Sequence, residues 1–183
     1  VSNIPPSVKN LNILRCSGLE PVILGRALNT SNIRMLKVGN NIGFKPSAAL
    51  ALFEELTNNK ALRALFVTFE GRADWGAKVR VFLEKNTALR QFILKGDIDR
   101  SFVEIGQALK KNTSLQQLHL RNANTSHHYT EAFLEGVMAN KTLKDLKMSL
   151  SFTSRYNFQC VMKERFLSRD FEDQFGKDFV GWQ

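Results

Sequence analysis

The strongest constraint in this sequence is a short apolar pattern that keeps returning. Ile33-Arg-Met-Leu36-Lys-Val38 reads apolar-x-x-apolar-x-apolar, and the pattern recurs in Leu62–Val67, Leu89–Leu94, Leu115–Leu120 and Leu143–Met148, with Val8–Ile13 as an earlier copy. The starting positions are separated by 25, 29, 27, 26 and 28 residues. A unit this short cannot bury its own apolar face, so neighbouring copies must stack and share one core. The last two apolar positions of each copy lie two residues apart, and so on one side of a short strand.

Between these strands the periodicity turns helical, in Ala48–Leu56, Ala77–Leu83, Phe102–Leu109 and Tyr129–Val137. Ile105 and Leu109, and likewise Phe133 and Val137, stand four apart on one helical face. Each unit is therefore strand, loop, helix, turn. A second series supports the same register. Asn59, Asn86, Asn112 and Asn140 each sit three residues before the next apolar pattern, and Asn29 sits four before Ile33. Each follows a helical segment, and Asn tolerates the left-handed conformation that ends helices, so these positions are expected to adopt it. A doubly wound sheet would need longer strands and a Gly-rich phosphate loop, and neither is visible. Gly106 and Gly136 stand singly inside helical segments, where they predict close helix packing.

The segments Ala108-Leu-Lys-Lys-Asn-Thr-Ser-Leu115-Gln-Gln-Leu118-His-Leu120 and Glu84-Lys-Asn-Thr-Ala-Leu89 resemble the ribonuclease-inhibitor-type leucine-rich repeat. That superfamily includes ribonuclease inhibitor, the Ran GTPase-activating proteins, tropomodulins and NOD-like receptors. The resemblance covers residues 8 to 151 and is specific for fold rather than function. It implies an α/β leucine-rich repeat solenoid, a horseshoe with parallel strands on the concave face and helices on the convex face. Residues 1–151 form the expected repeat domain, of about six repeats. Residues 152–183 form an expected aromatic-rich helical C-terminal cap, because Phe171, Phe175, Phe179 and Trp182 share one helical face and the last repeat needs cover. The family places Asn or Cys at the ninth position of each repeat. Here that position holds Cys16, Asn41, Glu70, Asp97, Ala123 and Ser151, so the turns after the later strands are expected to be irregular. Divergent Lys- and Asn-rich repeats of this kind occur in protist proteins and in bacterial effectors that act inside host cells.

In such an architecture the side chains between the apolar strand positions project from the concave sheet. Met35, Lys37, Phe66, Gln91, Ile93, Lys95, Gln117, His119, Arg121 and Lys147 form the expected partner-binding set, with Met35, Phe66 and Ile93 as apolar anchors and the cations as a basic rim. The expected function is a non-enzymatic protein–protein interaction module. Two alternatives stay open: a regulator of another enzyme in trans, of the GTPase-activating type that the superfamily implies, and a basic binder of nucleic acid or other polyanions. Nucleic acid is disfavoured, because cations and aromatics are not interleaved along one strand face. A further basic series, Arg34, Arg63, Arg90 and Lys144, interrupted by Gln116, follows the helix ends. It is expected to complement helix dipoles, or to pair with Glu54, Glu55 or Glu84, rather than to form an anion-binding stripe.

Composition bounds the setting. At 183 residues and 43% apolar the chain can form a cored domain, and a net charge of +9 suits an acidic partner surface. Only Cys16 and Cys160 occur, without the disulfide-rich flanks of extracellular repeat proteins. A reduced, cytoplasmic setting is expected, or export by a specialised secretion system into a host cell. No apolar run reaches membrane-spanning length, and a monomer is expected. The absence of an initiator Met points to a processed product or a fragment. Neither a cofactor nor a metal is expected, since the adjacent His127 and His128 point in different directions and form a poor ligand pair beside Glu131. Cys160 sits among apolar neighbours and reads as a buried thiol. No nucleophile–base–orienter set is apparent.

Overall fold

The computed structural model describes residues 4–16, 18–39, 45–72, 75–97, 101–121 and 127–148. Strands and helices alternate along the chain: β1 (Asn10–Leu14), α1 (Pro21–Asn29), β2 (Met35–Gly39), α2 (Pro46–Leu56), β3 (Ala64–Arg72), α3 (Gly76–Lys85), β4 (Gln91–Asp97), α4 (Phe102–Lys111), β5 (Gln117–Arg121), α5 (His127–Ala139) and β6 (Asp145–Met148). The strands pair in parallel in chain order, β1 to β6. The last two apolar positions of all six copies fall on strands, and the four expected helices fall on α2 to α5. Proline opens α1 and α2, where its missing N–H costs nothing. The expected cap at 152–183, with Cys160, lies outside the described residues.

The register puts the apolar positions in line. Leu36 faces Leu65, Leu65 faces Phe92, Phe92 faces Leu118 and Leu118 faces Leu146. All five side chains are fully buried against the helix layer. The core between β3, β4 and the helices is aromatic. Phe53 stacks on Phe82 and on Trp75, at centroid distances of 5.1 and 6.1 Å, and Phe92 meets both Phe53 and Phe82 edge-on at 5.8 Å. Such pairs add about 1 kcal/mol each beyond the area they bury. Gly106 and Gly136 do serve close packing. A Cβ on Gly106 would lie 2.5 Å from the Ala132 carbonyl oxygen and 2.7 Å from Phe133 Cα, and one on Gly136 would strike the Gly106 backbone. The backbones of α4 and α5 touch there, so no larger residue fits.

The asparagine series does something other than what its helix-end position suggests. None of these residues is left-handed: Asn86 and Asn112 have φ of −77° and −71°, and the only non-glycine residue with positive φ among the described residues is Arg15. The side chains bridge repeats instead. Asn86 Nδ2 donates to the carbonyls of Leu56 and Asn59, at 2.9 and 3.4 Å, in the preceding repeat. Its Oδ1 accepts the N–H groups of Ala88 and Leu89, at 3.0 and 2.9 Å. Asn112 repeats the arrangement with Leu83, Asn86, Ser114 and Leu115, and Asn140 with Leu109, Asn112, Thr142 and Leu143. Asn59 donates to Leu28 and to the Asn29 side chain. The three-residue spacing has a physical origin. It is the reach of an Asx oxygen to the N–H groups two and three residues on.

Two members of the basic series, Arg63 and Arg90, bond backbone carbonyls rather than the expected carboxylates. Arg63 Nη1 donates to the carbonyls of Lys60 and Ala88, both at 3.0 Å, and Arg90 Nη1 to those of Thr87 and Ser114, at 3.2 and 2.9 Å. Each guanidinium thus staples its own turn to the turn of the next repeat. Glu54, Glu55 and Glu84 pair elsewhere, with Lys78, Arg26 and Arg80. The turns after β4, β5 and β6, with Ala123 and Ser151, lie outside the described residues, and the irregularity that is described belongs to the β3–β4 pairing. β3 and β4 run on through Glu70 and Asp97, with a register shift between Thr68 and Arg72.

Replacing a ladder asparagine strands buried backbone groups on both sides of a repeat boundary. Asn86→Ala is expected to lower unfolding stability by roughly 3 kcal/mol. The same change at the exposed Asn29 should cost less than about 1 kcal/mol. Urea unfolding of both variants checks this, and equal midpoints would contradict the ladder.

Candidate functional site

The alternation of side chains along parallel strands builds a surface on the sheet face turned away from α1–α5. Register aligns Asn12, Lys37, Phe66, Ile93, His119 and Lys147 in one row across all six strands. The adjacent row holds Asn10, Met35, Ala64, Gln91, Gln117 and Asp145. One step further along the strands, Thr68, Lys95 and Arg121 align. Strand neighbours are about 4.8 Å apart. All ten expected partner-binding positions therefore share one face.

Their accessibility differs. Lys37, Lys95 and Lys147 are exposed, as is Met35 at 38%. Phe66, Gln91, Ile93 and Gln117 are half-buried. His119 retains only 8% of its surface. Arg121 lies on β5 in register with Lys95, and its side chain is outside the described residues. Gly39 makes a low point beside the anchors, since a Cβ there would sit 2.6 Å from Thr68 Cβ. The apolar anchors Met35, Phe66 and Ile93, the first exposed and the other two half-buried, occupy three successive strands, β2 to β4.

Electrostatics separates this face from the helix layer. On the helices, Arg80 bridges Glu84 and Glu104 at 2.8 and 3.1 Å, and Lys111 reaches Glu84 at 3.3 Å. Arg80 and then Lys111 hold the Glu84 carboxyl below the usual carboxylate range. Lys78 pairs with Glu54, Lys110 with Glu135 at 3.0 Å, and Arg26 with Glu55 at 3.5 Å. On the sheet face, among the described residues, neither Lys37 nor Lys95 has an ion-pair partner. Both cations are exposed and flanked by the apolar anchors.

One contact escaped the sequence reading. His119 Nε2 lies 2.8 Å from Asp145 Oδ2, joining β5 to β6 diagonally across the two rows. The hydrogen bond with His119 holds the Asp145 carboxyl below its usual range, against the opposing effect of partial burial, with Lys147 adding a weaker pull. The signal was present in the pattern, because residues diagonal in a register are within reach of long side chains. The register neighbours of His119 are Ile93 and Lys147, so no nucleophile stands beside the pair. Among the described residues no group of three or more His, Cys, Asp or Glu could hold a metal ion, and no helix is long and apolar enough to cross a membrane.

No protein-family model matches this chain, and no curated protein matches it. Solved structures do. Actin-binding site 2 of leiomodin-1 superposes with a TM-score of 0.66 at 19% identity, over 88% of this chain and 94% of that one. The tropomodulin C-terminal domain of Caenorhabditis elegans superposes with a TM-score of 0.58 at 11% identity, over 78% of this chain and 89% of that one. The chain has a leucine-rich-repeat-type fold. At these identities the likeness speaks to the α/β repeat architecture, and the surface chemistry must be read from this chain's own residues.

The Asp145 contact predicts a pH dependence. A carboxyl depressed in the folded state stabilises at pH above its unfolded value of about 3.9, and loses that contribution as pH falls through the lower folded value. Asp145→Asn should therefore be less stable than the parent chain by about 1 kcal/mol at pH 6. The gap should close at pH below about 4. Urea midpoints across that range check it, and a gap that stays constant to pH 3 would contradict the linkage.

Proposed function

We propose that this chain is a non-enzymatic protein-interaction module of the ribonuclease-inhibitor repeat type, and that it engages its partner through the exposed sheet face, the concave side of a horseshoe. The observation that carries this reading is the juxtaposition of Met35, Phe66 and Ile93 on three successive strands with the exposed Lys37 and Lys95, which have no ion-pair partner among the described residues. The described helices cover only one face of this sheet, so the partly accessible Met35, Phe66 and Ile93 on the other face take no part in the core between sheet and helices. Apolar anchors inside a charged rim are the usual anatomy of a protein-binding surface. The rim is cationic, which favours an acidic partner surface.

Actin is the first partner to test, because a leiomodin-1 domain of the same fold is an actin-binding site. The GTPase-activating and polyanion readings rest on superfamily membership and on net charge, and no residue arrangement on this face favours either. Salt dependence separates polyanion binding from the favoured reading, since counterion release makes it steep and indifferent to sequence.

The sheet-face reading predicts that Phe66→Ala combined with Lys95→Glu weakens partner binding by at least tenfold, while Lys78→Glu on the helix layer leaves it within about twofold. Affinity capture followed by titration of the captured protein, with actin included as a purified candidate, checks this. Undiminished binding by the double variant would place the interface elsewhere.

A further inference from the structure

We infer that the edge of the stack at which helices turn into strands is a docking surface for an anionic lipid bilayer. The inference uses none of the sheet-face residues and stands apart from the reading above. Five turns line this edge, each running from the last residue of a helix to the residue before the next strand: 29–34, 56–63, 85–90, 111–116 and 139–144. They hold eight Lys and Arg, one, two, two, one and two in chain order, and no Asp or Glu. A helix C-terminus carries about half a negative charge, so five of them offset less than half of this excess. Arg34, Lys60, Lys85, Lys141 and Lys144 are exposed, and none of them has an ion-pair partner among the described residues. Lys111 reaches the Glu84 carboxylate.

Backbone bonds hold these turns at one level. The N–H groups of Arg63, Arg90, Gln116 and Lys144 donate to the carbonyls of Arg34, Arg63, Arg90 and Gln116 in turn, at 2.7–2.8 Å. At strand spacing the row from Arg34 to Lys144 is about 19 Å long. Neighbours in it lie within the Debye length of about 8 Å at physiological salt, so their potentials add. An open groove of about 490 Å³, lined by Asn29, Asn58, Asn59, Lys60 and Ala61, leaves room for a headgroup beside the Lys60 ammonium. The chemistry of the edge selects the kind of anion. A protein interface needs apolar anchors, but apart from Ala139 every exposed side chain in these turns is polar. A nucleic-acid strand needs rings on which to stack its bases, and the turns hold no Phe, Tyr or Trp. Bidentate phosphate contacts need free guanidinium forks, and those of Arg63 and Arg90 are engaged with backbone carbonyls. What is left is mainly a row of lysine point charges on a polar surface, which suits the diffuse negative potential of a bilayer. In this pose the strands stand upright on the membrane and the sheet face looks sideways, open to a protein partner.

Co-sedimentation of the full chain with phosphatidylcholine vesicles containing about 30% phosphatidylserine tests this. Binding is expected to these vesicles, not to phosphatidylcholine alone, and to be lost at about 0.5 M salt. Lys60→Glu with Lys141→Glu should lower the partition constant at least about twentyfold, since each cation near the surface contributes about fivefold. Lys45→Glu with Lys78→Glu makes the same change in net charge away from this edge, before α2 and on α3, and should leave the constant within about threefold. Equal losses in the two variants would mean that net charge alone drives binding, and would overturn the inference. Failure to bind the anionic vesicles would overturn it too. A labelled single-stranded oligonucleotide gives the remaining arm. If it binds more tightly than the vesicles and is lost in Lys60→Glu with Lys141→Glu, the edge belongs to a nucleic-acid strand and the bilayer reading falls.

Discussion

Four buried asparagine side chains, Asn59, Asn86, Asn112 and Asn140, hold the boundary between each repeat and the next. Stacked repeats share an apolar core, but the turn between helix and strand leaves polar backbone groups buried at every junction. An amide side chain is suited to that position because it donates and accepts at once. Its Nδ2 takes up carbonyls of the preceding repeat, and its Oδ1 takes up the N–H groups that lead into the next strand. Since the backbone carbonyls of Asn59, Asn86 and Asn112 are themselves acceptors for the next asparagine, the bonds run as a continuous series along the stack. The arginines at 63 and 90 extend the same solution to the carbonyls of the turns.

The candidate surface follows from this scaffold. With the turns before β3, β4, β5 and β6 held in the same way, the strands keep one register, and a side chain at a given repeat position lies beside its counterparts on the neighbouring strands. Residues scattered over more than a hundred positions of sequence are thereby gathered on one face. The helix layer matches many of its cations with carboxylates, whereas among the described residues Lys37 and Lys95 on the sheet face have no ion-pair partner. What distinguishes the two faces is therefore the placement of the acidic residues more than that of the basic ones.

Much of this was legible from the chain alone. The spacing of Leu62, Leu65 and Val67, repeated along the sequence, specifies a strand and its buried side. Because all copies are alike, it also specifies which residues must be neighbours in the sheet. That is why Met35, Phe66 and Ile93 could be assigned to one face before their positions were known. The asparagine positions were recognised correctly and their job was not, because a residue after a helix is equally compatible with a left-handed cap and with an Asx bond. Only the proximity of the preceding repeat's carbonyls selects the second. For Arg63 and Arg90 the expected carboxylate partners give way to backbone carbonyls, one three residues back and one 25 or 24 residues on in the next repeat.

The sequence by itself determined the repeat, the strand and helix positions, and the side of the sheet on which each side chain lies, since these depend on local periodicity and on the identity of successive units. The tertiary structure decided which polar groups meet. It turned Asn86 from a helix end into a bridge, paired His119 with Asp145 across two strands, and sent Arg63 to a carbonyl rather than a carboxylate. Hydrogen bonds and ion pairs require partners within about 3 Å in a defined direction. Periodicity fixes the face a residue occupies but not distances at that scale, and those exist only once the repeats are stacked.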